Sequence, residues 1–203
     1  MPEASDIYYC IFSSYLGIRG FKIEYKGYIE KMSTSDYIFK LLLIGDAPGS
    51  KTTFIKRYCF ENFNPHNRLT IGVECCSKTT TFNGIEVKLQ IWDFGGEIKF
   101  RILYTKYCKS ANGAFFLYDI ITPLSLNYLL EWIQLVRKSA GDIPIMLIGS
   151  KLDLHENRAV SYEEGLLTAK KYNLASFLEI SSKTGENVEK AFEIMIKMLI
   201  EVF

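Results

Sequence analysis

The sequence predicts an α/β domain, a six-stranded and mostly parallel sheet with one antiparallel hairpin strand and helices on both faces. Three observations predict it. From residue 37 to the end, short apolar runs alternate with stretches of helical periodicity. Asn83-Gly84 separates two strand-like runs, which is the strongest two-residue hairpin signal. A loop rich in Gly and Pro, residues 45–49, lies directly between the first apolar run and the first helical stretch, where open α/β sheets bind their ligands.

The first strand is placed at residues 37–44, where Leu41-Leu42-Leu43-Ile44 reads as a strand buried on both faces. A helix follows over residues 51–60. Residues 73–82 and 86–92 form the antiparallel pair around Asn83-Gly84. Further strands fall at residues 113–118, 144–148 and 176–180, separated by helical stretches at 123–139 and 161–172. The second of these opens with Ser161-x-x-Glu164, a capping box in which each side chain satisfies a free N–H of the first turn. At the end, Val188, Ala191, Phe192, Met195, Ile196, Leu199 and Ile200 recur at three- and four-residue spacing, the stripe of an amphipathic helix facing the core.

Residues 1–35 differ in character and read as an N-terminal extension to a domain at 36–203. In it Phe21, Ile23 and Tyr25 alternate with Lys22, Glu24 and Lys26, a half-buried strand pattern, and residues 7–13 can pair with it as a β-hairpin. An isolated hairpin is marginal in water, so this one is expected to dock. Met32 is an alternative start.

Composition narrows the function classes. Hydrophobic residues make up 48% and charged residues 23%, enough to bury a core and too apolar for a disordered chain. Lys and Arg total 24 against 23 Asp and Glu, so no net field draws the chain to nucleic acid or an anionic membrane. The 5 cysteines are odd in number and form no C-x-x-C pair, which argues against a disulfide framework or structural zinc and for a reducing, cytoplasmic setting. No apolar run is long enough for a transmembrane helix and no secretory signal opens the chain. Pro2 stands where myristoylation needs Gly and the last cysteine is Cys108, so no prenylation box is read and membrane attachment is expected only through partners.

The chemistry concentrates in the loops that follow strands. Gly45-Asp46-Ala47-Pro48-Gly49-Ser50-Lys51-Thr52 matches G-x-x-x-x-G-K-[ST] except that Ser50 stands where the second Gly is expected. Such a loop turns backbone N–H groups and a helix N-terminus toward phosphate, with Lys51 for the terminal phosphates and Thr52 for Mg²⁺. Trp92-Asp93-Phe94-Gly95-Gly96-Glu97 follows a strand, where Asp93 can hold a Mg²⁺-bound water and the Gly96 N–H can approach a γ-phosphate. Ser150-Lys151-Leu152-Asp153 follows another. There Asp153 can accept from the N1–H and amine of guanine, Lys151 can cover the base, and adenine would leave the carboxylate unpaired. Glu179-Ile180-Ser181-Ser182-Lys183 offers backbone N–H groups to the guanine O6.

With Thr70-Ile71-Gly72 these make five motifs in order, and on them the chain resembles the Ras superfamily of small GTPases, closest to its Rab-like branch, over residues 37–203. Thr70-Ile71-Gly72-Val73-Glu74 and Glu131-Trp132-Ile133 strengthen the Rab-like likeness. The resemblance implies a P-loop NTPase G domain and a slow GTP-hydrolysing switch that regulates intracellular traffic or signalling. It implies GTP or GDP bound through Pro48, Gly49, Ser50, Lys51, Thr52, Thr53, Phe63, Thr70, Gly96, Ser150, Lys151, Asp153, Ser181, Ser182 and Lys183. By the same likeness Mg²⁺ takes Thr52, Thr70 and Asp93, Phe63 packs on guanine, and Lys51, Gly96 and Glu97 form the catalytic set. Effectors, exchange factors and activating proteins are expected near residues 63–74 and 94–107.

Four residues depart from the family pattern. Ser50 replaces a Gly, Ser150 the Asn that braces the base site against the phosphate loop, and Glu97 the Gln that orients water. Pro48 occupies a position whose N–H faces the β–γ bridging oxygen, and proline has none to give. Phe94 and Gly95 make an Asp-x-Gly-Gly form more like Arf-type and Rag-type relatives. Two function classes therefore stand: a GTP-hydrolysing switch, favoured by Lys51, Thr52, Thr70, Asp93 and Gly96, and a nucleotide-binding interaction module with little or no turnover. An adenine-nucleotide enzyme would leave Asp153 without a role.

Overall fold

A computed structural model describes residues 35–202 apart from residues 48, 65–69, 71 and 96–100. The hairpin expected within residues 1–34 lies outside the described residues, as do Pro48, Gly96 and Glu97.

The elements run β1 (Tyr37–Ile44), α1 (Ser50–Phe60), β2 (Val73–Phe82), β3 (Ile85–Phe94), α2 (Arg101–Cys108), β4 (Gly113–Asp119), α3 (Leu129–Ala140), β5 (Ile145–Ser150), α4 (Tyr162–Lys171), β6 (Ser176–Glu179) and α5 (Val188–Val202). The strand order is β2-β3-β1-β4-β5-β6. Every neighbouring pair is parallel except β2 with β3. Asn83 and Gly84 close that pair with φ of 50° and 82°, the left-handed conformation at both central positions that a tight hairpin needs and that Asn and Gly tolerate.

Period-two alternation along the central strands splits the core into two layers. Leu41 and Leu43 of β1, Phe115 and Leu117 of β4, and Met146 and Ile148 of β5 face α1 and α5. Leu42, Ile44, Phe116, Ile145 and Leu147 face the opposite layer, built from Tyr104 of α2, Trp132 and Val136 of α3 and Ala169 of α4. Every residue of β4 and β5 is buried, which is why these strands read as continuous apolar runs. In the first layer Phe192 of α5 stacks on Tyr58 and meets Phe54 and Phe115.

Two departures from the expected elements have local causes. The stretch 123–139 is not one helix: a 3-10 turn at Pro123–Leu126 precedes α3. Ser125 Oγ accepts from Asp119 N–H at 2.9 Å and donates to Thr122 O at 2.6 Å, so a side chain ties this turn to the end of β4 and takes up the Thr122 carbonyl that a continuing helix would use. Helix α2 carried no sequence signal, because its 8 residues span little more than two turns, too few to show a sustained helical period. No helix among the described residues is long and apolar enough to cross a membrane.

Candidate nucleotide site

The carboxyl ends of β1, β3 and β5 and the loop after β6 lie side by side, and the predicted motifs converge there. Gly45 follows the last residue of β1 with φ of 116°, and a Cβ on it would stand 2.3 Å from Leu117 O of β4. No side chain fits, so the turn into the loop requires glycine. Gly49 is the left-handed residue that precedes α1. Lys51, 5% exposed, donates from Nζ to Gly45 O at 2.6 Å. Burial lowers its pKa, partly opposed by Asp93 and then Asp46.

Three side-chain oxygens meet beside it. Thr52 Oγ1 donates to Asp93 Oδ2 at 2.6 Å, Thr70 Oγ1 lies 3.1 Å from the same oxygen, and the two hydroxyls are 2.9 Å apart. Asp93 is 1% exposed, and its second oxygen, Oδ1, is buried with no hydrogen-bond partner. Burial raises its pKa against the pull of Lys51 and both threonines. A buried carboxylate with an orphaned oxygen beside two hydroxyls is a donor set for a hard divalent cation such as Mg²⁺. Gly95 lets this cluster close: a Cβ there would meet Thr70 O at 2.4 Å. Its N–H donates to Gly72 O at 2.9 Å and its carbonyl accepts from Tyr104 Oη.

At the other end, Ser181 Oγ donates to Asp153 Oδ1 at 2.6 Å and Lys183 Nζ is 3.9 Å from Asp153 Oδ2. Lys151, left-handed at φ 68°, reaches Asp119 Oδ2 at 2.5 Å. Leu152 N–H donates to Ile180 O at 2.9 Å and ties the two loops together. The ends are linked directly, since the Ser50 and Ser150 hydroxyls lie 2.9 Å apart and Ser150 Oγ donates to Tyr118 O at 2.6 Å. Ser150 has one proton, spent on that carbonyl, so it accepts from Ser50. Two of the family departures therefore bond to each other, and Ser50 directs its side chain into the interior.

The remaining predicted residues are less involved. Thr53 turns both its N–H and its hydroxyl back to Gly49 O, at 3.1 and 2.8 Å. Phe63 is half-buried in the segment after α1, and Ser182 is buried. Two residues that sequence reasoning missed support the site. Arg57 of α1 donates to Ser182 O at 2.9 Å and to Lys183 O, a long-range contact with no local signal. Asp119, 2% exposed, holds Lys151. Its position at the end of a buried strand, like that of Asp93, is the signal that could have found it. Arg158 makes a two-pronged bond to Glu179 at 2.6 and 2.7 Å and anchors the loop after β6.

A buried lysine at a strand–loop–helix turn, two hydroxyls with a carboxylate, and a second carboxylate aligned by a serine, all at strand ends of a mostly parallel sheet, fit a nucleotide-binding α/β protein. Residues 40–201 match the Ras family, and the chain belongs to it, a Rab-like small GTPase. Among its relatives is the human Ras-related protein Rab-19, 36% identical over 166 residues, which cover 81% of this chain and 76% of that protein.

Proposed function

We propose that residues 36–203 act as a guanine-nucleotide switch that binds GDP and GTP with Mg²⁺ and hydrolyses GTP slowly. The observation that carries this is the meeting of Thr52, Thr70 and Asp93, with Asp93 Oδ1 buried and unpaired. Mg²⁺, when bound, would neutralise phosphate charge. The Lys51 ammonium, which donates to Gly45 O, turns to the terminal phosphates in this reading, and the Gly49, Ser50 and Thr52 backbone lines the helix N-terminus. Asp153, aligned by Ser181, accepts from the guanine N1–H and amine, and Lys151 covers the base with Phe63 opposite.

Glu97 and Gly96 are assigned to the attacking water and the γ-phosphate. An ionised Glu97 accepts a proton from water but donates none. Pro48 removes an N–H aimed at the bridging oxygen, where charge builds, and the loss of one such donor slows a reaction by about 10²–10³. Residues 1–35 are an appendage, and residues near 63–74 and 94–107 meet effectors and regulators. The chain works in the cytoplasm and reaches membranes through those partners.

Competition titration with GTP and ATP tests the base assignment. GTP wins in the wild type, and Asp153→Asn, whose amide adds a donor, weakens GTP and shifts preference toward xanthine nucleotides. Equal affinity for ATP and GTP overturns the reading. Single-turnover hydrolysis separates switch from interaction module. Pro48→Gly is expected to accelerate it more than Glu97→Gln, and absence of turnover in all three proteins would favour the module.

A further inference from the structure

Cys59 in the last turn of α1 and Cys76 in β2 lie outside the nucleotide site. Their sulfur atoms are 2.8 Å apart, about 0.8 Å beyond the 2.03–2.05 Å of an S–S bond. Both are half-buried free thiols at the margin of the layer formed by α1 and α5, within reach of a small oxidant. Beside them the Lys78 ammonium lies 3.8 Å from the centre of the Tyr58 ring and donates to Tyr58 O at 2.7 Å. The hydrogen bond with Cys59, opposed by burial and aided by Lys78, holds the Cys76 thiol below its usual range. The same hydrogen bond, with burial, pushes the Cys59 thiol up. With the two sulfur atoms 2.8 Å apart, one thiol can be oxidised and the other resolve it, Cys76 in the strand serving as nucleophile and Cys59 as the resolving thiol.

Among the described residues the other cysteines are poorer candidates. Cys75 Sγ points to its neighbour's carbonyl, 3.9 Å from Cys76 O. Cys108 is fully buried in the other layer, with its pKa pushed up to about 12 by burial.

We propose that Cys59 and Cys76 form a reversible dithiol–disulfide site that responds to hydroperoxides. The Cys76 thiolate attacks one peroxide oxygen and breaks the O–O bond. The other oxygen leaves with the electron pair and a proton as water, and Cys76 becomes a sulfenic acid. Cys59 then attacks the Cys76 sulfur. The S–O bond breaks, and the departing hydroxide takes the Cys59 proton as a second water. Two thiols lose two electrons and two protons, and hydrogen peroxide becomes two waters. Disulfides are rare in a reducing compartment, and those that do form there are usually transient and redox-sensing, as this one would be.

The bond would join the helix that begins at the phosphate loop to β2, and the covalent loop so closed contains Phe63 and Thr70. Closing a loop restricts the unfolded chain, so the oxidised protein should melt higher. By tying Thr70 and Phe63 more tightly to α1 it should also release bound nucleotide more slowly, a consequence that rests on the switch reading.

The test is hydrogen peroxide treatment of the full chain, followed by alkylation and non-reducing peptide mapping. Two fewer thiols should alkylate than in the reduced chain, with one Cys59–Cys76 cross-linked peptide that dithiothreitol reverses. The cross-link should persist in Cys75→Ser and vanish in Cys59→Ser and Cys59→Ala. Both thiols still alkylating, or Cys75 taking the place of either, overturns the site. These readouts need no nucleotide. Release of a fluorescent GDP from the cross-linked chain, unchanged from the reduced chain, overturns the regulatory consequence alone, whereas failure to bind GDP in either state overturns the switch reading instead.

Discussion

Ser50 and Ser150 each break the family pattern, and each explains the other. A Gly at position 50 and an Asn at 150 would link the two loops through an amide, whereas here two short hydroxyls form a relay ending on the Tyr118 carbonyl. All of it is buried, Ser50 at 3% exposure and Ser150 at 2%. Ser150→Ala removes the acceptor of a buried hydroxyl and the donor to a buried carbonyl, which should cost about 1–3 kcal/mol in urea unfolding. Ser50→Ala with Ser150→Ala should cost less than the two single changes added together, because the two hydroxyls that bond each other are removed together and neither is left orphaned. Strict additivity would show that the hydroxyls do not act together. The same substitutions should weaken GDP binding on the proposed reading, since the pair joins the loop at 45–52 to the loop at 150–153.

At the scale of elements, α4 shows a boundary that sequence determines outright. Ser161 Oγ accepts from Glu164 N–H at 3.1 Å and the Glu164 carboxylate accepts from Ser161 N–H at 2.7 Å. The bond from the Ser161 backbone, then that from its hydroxyl, lowers the Glu164 pKa below 4.5. A carboxylate with a lowered folded-state pKa stabilises the fold above its unfolded value and loses that contribution as pH falls through the folded one. Amide protection at the start of α4 should therefore fall on acidification below about pH 4.5, the ordinary carboxyl value. Glu164→Gln, which keeps an acceptor but cannot titrate, should flatten that response. By contrast, the start of α3 was not legible, because Ser125 stops the helical stretch only through bonds to Asp119 and Thr122 that exist once β4 is in place. Helix α2 was not legible either, since Tyr104 gains its worth from stacking on Phe94 and Trp132.

For the whole molecule, the site sits where several strand ends and three loops meet, so occupying it should brace the entire sheet. A ligand that binds only the folded state adds RT ln(1 + [L]/Kd), about 2.7 kcal/mol at a hundredfold excess over Kd. The melting temperature should accordingly rise with Mg²⁺·GDP concentration in a thermal scan. Lys51→Ala should blunt the rise, because it removes the cation held at Gly45 O. A melting curve indifferent to Mg²⁺·GDP in the wild type would remove the support for a nucleotide site at these strand ends.

The sequence by itself determined the six strands, the hairpin at Asn83-Gly84, the apolar face of α5 and the order of five motifs, because each is written in near neighbours. Local periodicity reports which side of an element is buried, and Gly, Pro and capping residues report where it ends. Lys51, Thr52 and Asp93 were legible as types of chemistry at strand ends. Their meeting with Thr70, the bond between Ser50 and Ser150, the grip of Arg57 on the loop after β6 and the approach of Cys59 to Cys76 were decided only by the tertiary structure. Each joins residues far apart along the chain. Such contacts come into being when the sheet brings strand ends together, and no periodicity within a single segment encodes them.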